Sequence, residues 1–160
     1  MTEQGLNYLI DRAEKTRNAA GIRLAKARSA EQQAEQQKDV LQSYRNEYRE
    51  RMAKALTEGA PAEVVRDYQL FLSSLEQAIE DAKQHLERQH KKVTESFQSM
   101  KTHQMQLSSF TALAERRHQV KAQAEQKQEA KTHDDLANQM YLRQRAAGES
   151  LPLDRDASYE

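Results

Sequence analysis

Five histidines, His85, His90, His103, His118 and His133, are the side chains of this sequence best suited to hold a metal or move a proton. A helix brings two such ligands onto one face only when they stand three or four residues apart, as in HExxH. No two of these histidines have that spacing. The carboxylate pairs Glu80-Asp81 and Asp134-Asp135 are adjacent, so on a helix they point about 100° apart instead of converging for acid–base work. There is no Gly-rich phosphate loop, no nucleophile motif and no cysteine. These observations predict a protein that is not an enzyme and carries no metal or cofactor. The residues that remain chemically distinctive are suited to recognition. Tyr44, Tyr48, Tyr68 and Phe71 are four of only nine aromatics, and rings presented on a polar surface anchor protein partners.

The elements that must carry these rings are long helices. Every seventh residue from Leu6 is Leu6, Ala13, Ala20, Ala27, Ala34, Leu41, Tyr48 and Ala55; from Val65 it is Val65, Leu72, Ile79, Leu86, Val93, Met100, Leu107 and Ala114. A seven-residue apolar period keeps one seam on one side of a slightly underwound helix, so each row calls for a partner helix. Between the rows lies Glu58-Gly59-Ala60-Pro61. Gly permits a positive φ there, and Pro cannot continue a helix but suits the start of the next. The expected fold is all-α: a long antiparallel two-helix coiled coil, or helical hairpin. Helix one covers about 5–57, the turn 58–61 and helix two about 62–147. Residues 148–160, opened by Gly148 and rich in acids, are expected to form a disordered tail.

A tight turn at 58–61 makes facing residue numbers sum to about 120, which sets the two rows against each other. Ala13 then faces Leu107, Ala20 Met100, Ala27 Val93, Ala34 Leu86, Leu41 Ile79 and Tyr48 Leu72. Small opposite large fills a close-packed seam without overlap. A secondary row on helix two, Tyr68, Leu75, Ala82, His103 and Phe110, places His103 at the seam as a polar layer able to fix register. Helix one runs out near Leu6, opposite about residue 114. Residues 115–147 are therefore expected to overhang as a C-terminal extension, with Arg116, Arg117, Lys121, Lys127, Lys131, Arg143 and Arg145 set against five acids. A helix polar all round is either frayed or docked on a partner.

Composition agrees. Apolar residues make up 37% of 160 and charged residues 31%, with nineteen glutamines; such a chain can bury a stripe but not a thick core. The absence of cysteine fits a reducing cytoplasm. No apolar run is long enough for a membrane span, and no secretory h-region opens the chain. A formal net charge of zero argues against coating nucleic acid.

Two segments carry a family resemblance: Tyr44-Arg45-Asn46-Glu47-Tyr48-Arg49, and the stretch from Asp67-Tyr68-Gln69-Leu70-Phe71 to Leu75-Glu76-Gln77-Ala78-Ile79. With their separation by a short Gly-containing turn, they resemble the flagellar export protein FliJ, and the likeness extends over about residues 5–145. The resemblance implies a two-helix coiled coil similar to the central stalk of rotary ATPases. It implies a soluble component of the bacterial flagellar type III export apparatus, cytoplasmic and peripheral at the inner face of the membrane only through its partners. Those partners would be the flagellum-specific export ATPase, which it stimulates, the cytoplasmic domain of the membrane export gate protein, and substrate chaperones that it escorts. The implied gate-binding residues are Gln37, Leu41, Tyr44, Tyr48, Phe71, Leu75 and Ala78; where the family usually continues with a polar residue, often His, this chain has Ala82. The implied ATPase-binding end is the paired termini with the overhang, including Arg116, Arg117, Lys121, Lys127 and Lys131. Two other readings stand beside it, a stalk protein of a virulence-type secretion system and a generic coiled-coil scaffold.

Overall fold

The computed structural model describes residues 1–149, with side chains to Gly148. Two helices account for almost all of it: α1, Glu3–Thr57, and α2, Ala62–Glu149. No strand occurs among the described residues. The start of α1 lies two residues before the expected one because Thr2 caps it. The Thr2 hydroxyl accepts the Gly5 N–H at 3.1 Å, and Glu3 adds a carboxylate at the positive end of the helix dipole. Helix α2 runs through Gly148 to Glu149, since one glycine costs a helix only about 1 kcal/mol. The acidic tail expected beyond it falls, from Ser150 onward, outside the described residues.

The turn ends α1 with a Schellman motif. Ala60 N–H donates to the Ala55 carbonyl at 2.9 Å and Gly59 N–H to the Leu56 carbonyl at 3.3 Å. Gly59 has φ +76°, the left-handed conformation this motif places one residue past the cap, where glycine carries no Cβ penalty. Pro61 sits immediately before α2, and its carbonyl accepts from Val64 and Val65. Backbone groups that a sharp reversal would strand are thereby paired.

The chain divides into two compact units, Met1–Thr111 and the residues from Ala112 on. In the first, cross-helix neighbours follow one register. A Cβ on Gly21 would lie 4.0 Å from the Met100 methyl. Arg17 bonds Gln104, Glu31 meets His90, and Arg45 and Arg49 both reach Glu76. These pair numbers sum to between about 120 and 125, so the helices are antiparallel in the expected alignment. The core is a strip: Leu6, Ala13, Ala20, Leu24 and Ala34 from α1, with Leu75, Ile79 and Ala82 from α2, and no buried polar residue among those described.

The strip is narrow because the second inward column of α1 is largely charged. Ile10, Arg17, Leu24, Glu31, Lys38, Arg45 and Met52 repeat every seven residues, and all are buried or half-buried. A search for apolar heptads passes over this column, since four of its seven members carry charge. Their stems cover apolar surface while the charged ends reach the flank.

Candidate partner-binding face

Near the hairpin end, α1 contributes Tyr48 from its inner column and α2 contributes Tyr68 and Phe71. The Tyr48 ring lies 4.4 Å from Phe71 and 6.4 Å from Tyr68 between centroids, tilted by 52° and 56°. Tilted ring pairs at these separations place positive edges toward negative faces and hold the two helices together beyond simple area burial. The guanidinium of Arg51 stands 5.1 Å over Tyr48 and is itself held by Glu47 at 2.5 Å. Tyr44, one turn earlier on α1, makes no ring contact among the described residues and is 50% exposed. Phe71 is 42% exposed despite its contact with Tyr48.

The cluster therefore divides by role. Tyr48 and Tyr68 are half-buried seam residues, while Tyr44 and Phe71 present ring surface to solvent. Of the other positions implied by resemblance, Leu41 and Ala78 are half-buried, Gln37 is exposed, and Leu75 is buried beneath them at 7% exposure. All seven lie along one flank of the seam. Gln37 and Tyr44 are seven apart, as are Leu41 and Tyr48, and Phe71 and Ala78, and antiparallel packing brings like flanks of the two helices to the same side. The opposite flank carries a different device: Glu76 accepts from Arg49 at 2.7 Å and lies 3.8 Å from Arg45. That ion pair joins the two helices on the flank away from the rings.

The residues implied for a second contact, Arg116, Arg117, Lys121, Lys127 and Lys131, belong to the unit from Ala112 on. All five are exposed, as is every residue from Glu115 to Gly148 except half-buried Ala122. This stretch also exposes Leu136, Met140, Tyr141 and Leu142, each by more than half. Heptad counting passes over the run Met140-Tyr141-Leu142. Its members point about 100° apart on the helix, whereas Leu136 and Met140, four residues apart, share a face.

One layer of the seam is polar, as expected for His103. Arg17 Nη1 donates to Gln104 Oε1 at 3.2 Å. Arg17 Nε and, at the facing position, His103 Nδ1 are enclosed without a hydrogen-bond partner. Among the described residues no group of three or more His, Cys, Asp or Glu is arranged to hold a metal ion, and no helix is long and apolar enough to cross a membrane. The described surface presents exposed rings near the turn, and a polar helix carrying cations and exposed apolar side chains.

Comparison with known proteins gives one consistent answer. The family described as Flagellar FliJ protein matches residues 2–146. The flagellar FliJ protein of Escherichia coli strain K12 is 32% identical over 144 residues, covering 89% of this chain and 98% of its own. That of Salmonella typhi is 31% identical over the same length, with the same coverage. No solved structure matches the chain.

Proposed function

The chain belongs to the FliJ family of flagellar proteins, components of the export apparatus, and from that membership we propose that it acts as the stalk-like partner of the flagellum-specific export ATPase. It binds the ATPase through the paired termini and the polar stretch that includes Arg116, Arg117, Lys121, Lys127 and Lys131, and it stimulates ATP turnover without catalysing a step itself. Through Gln37, Leu41, Tyr44, Tyr48, Phe71, Leu75 and Ala78 it contacts the cytoplasmic domain of the membrane export gate protein, and it escorts substrate chaperones after their cargo has left. It works in the cytoplasm and reaches the inner face of the membrane only through these partners.

The observation that best supports this reading is the placement of Tyr44 and Phe71. Half-exposed rings on a chain with 37% apolar residues gain little from folding, but would gain from burial against another protein. Backed by the Tyr48 ring, Phe71 is held ready, so a partner spends little entropy ordering it. The test is Tyr44→Ala and Phe71→Ala in a binding assay against the gate's cytoplasmic domain. Loss of an interface anchor costs at least about 2 kcal/mol, or roughly thirtyfold in Kd. Helicity by circular dichroism should stay near wild type. Unfolding in both variants, or unchanged affinity in both, would refute the assignment of this face.

A further inference from the structure

The neutral charge of the whole conceals a separation that the hairpin concentrates. Residues 12–33 and 88–109 lie side by side in the observed register. Together they hold ten Lys and Arg (Arg12, Lys15, Arg17, Arg23, Lys26 and Arg28 on α1; Arg88, Lys91, Lys92 and Lys101 on α2) against Glu14, Glu31 and Glu95, a net of +7. Residues 34–87, which make the rest of the hairpin toward the turn, hold seven bases and eleven acids, a net of −4. In sequence the two basic runs are sixty residues apart and neither is unusual alone; folding brings them together.

Some of these cations are occupied within the chain. Lys15 pairs with Asp11 at 2.9 Å and Arg17 with Gln104. Arg23, Lys26 and Lys92 are exposed and make no ion pair or side-chain hydrogen bond among the described residues. They also share a flank. Arg23 borders a shallow groove with Ala20, Glu95, Ser96 and Ser99. Lys92 stands one heptad before Ser99 in the same column, and Lys26 extends the Arg23 edge by one turn. The floor of the groove is small, lined by Ala20, Ser96 and Ser99, so another backbone could approach closely. Against a chain that has as many acids as bases, unpaired cations along a small-floored groove are an unmet electrostatic complement.

We propose that this flank is a docking site for an acidic helix of a partner protein, its carboxylates meeting Arg23, Lys26 and Lys92 and its small side chains set against Ser96 and Ser99 in the groove. The dimensions favour a helix. The band is about 33 Å long, the length of roughly 22 helical residues. A nucleic acid would run past it into the half that carries net negative charge. The band also lacks a stacking platform, because its one aromatic, Phe97, lies in the column of Gln104, on the other flank of α2.

The probe is a fluorescein-labelled helical peptide of about 18 residues with a glutamate stripe beside an alanine stripe, titrated with the full chain and followed by anisotropy. Arg23→Glu, Lys26→Glu and Lys92→Glu together should weaken binding by about tenfold or more. A control of equal charge change outside the groove, Arg28→Glu, Lys91→Glu and Lys101→Glu, should weaken it by less than about threefold. Raising salt from about 50 to about 300 mM should weaken the wild-type complex. Circular dichroism checks the fold, and if the reversal variant unfolds, Arg23→Gln, Lys26→Gln and Lys92→Gln serves in its place. No saturable binding to the wild type, equal losses in the two variants, or tighter binding of a single-stranded DNA of equal charge would each overturn the proposal.

Discussion

Ile79→Ala tests the seam at its tightest point. Ile79 is 2% exposed and is one of the two largest fully buried side chains among the described residues; the register sets it opposite Leu41. Alanine removes three carbon atoms, worth about 2.4 kcal/mol at about 0.8 kcal/mol per buried methylene. A cavity adds to this in a rigid core, but two helices with solvent on both flanks can close part of the gap, which holds the total near about 3 kcal/mol. Leu86 lies one heptad along the same column, yet it is only half-buried and lines an open groove with Glu31, Lys38 and His90. Its truncation should cost about half as much, roughly 1.5 kcal/mol. Denaturant unfolding followed by circular dichroism gives both values, and the midpoints should fall without change in slope. A loss for Ile79→Ala below about 0.5 kcal/mol, which is the size of an ordinary surface effect, would refute the seam. So would a larger loss for Leu86→Ala.

The polar layer should be worth less than an apolar one: Arg17→Leu combined with His103→Leu removes two enclosed atoms without partners and should stabilise the hairpin by about 1–3 kcal/mol in the same assay. The ion pair near the turn is exposed on both sides, so a double-mutant cycle on Arg49 and Glu76 should give a coupling of no more than about 1 kcal/mol, shrinking as salt is added. Deleting the chain from Glu125 onward removes no buried side chain among the described residues, so the melting temperature should hold within a few degrees, while stimulation of the export ATPase, measured as ATP turnover, should be lost; equal stimulation by the truncated protein would defeat the proposed role of that stretch.

The seven-residue rows, the Gly59 turn and the register are legible in the sequence alone, because all three follow from local periodicity and backbone conformation. Small-against-large pairing sets the alignment through volume. The resemblance to the family is read from the Tyr44–Arg49 and Asp67–Ile79 segments, and the family match covers residues 2–146. What periodicity does not reveal is which side chains remain uncovered. Tyr44 and Tyr48 have the same residue type four positions apart, yet one faces solvent and the other meets Phe71 and Tyr68 across the seam. Leu75 belongs to the implied binding set but lies buried beneath it. The second inward column of α1 is hidden because Arg17, Glu31, Lys38 and Arg45 read as surface until their stems are set against α2. The basic band exists only once two distant runs lie side by side. Periodicity is a property of one helix and is written in its residues. Exposure and electrostatic field depend on what the second helix places across the seam, and that is decided by the tertiary structure.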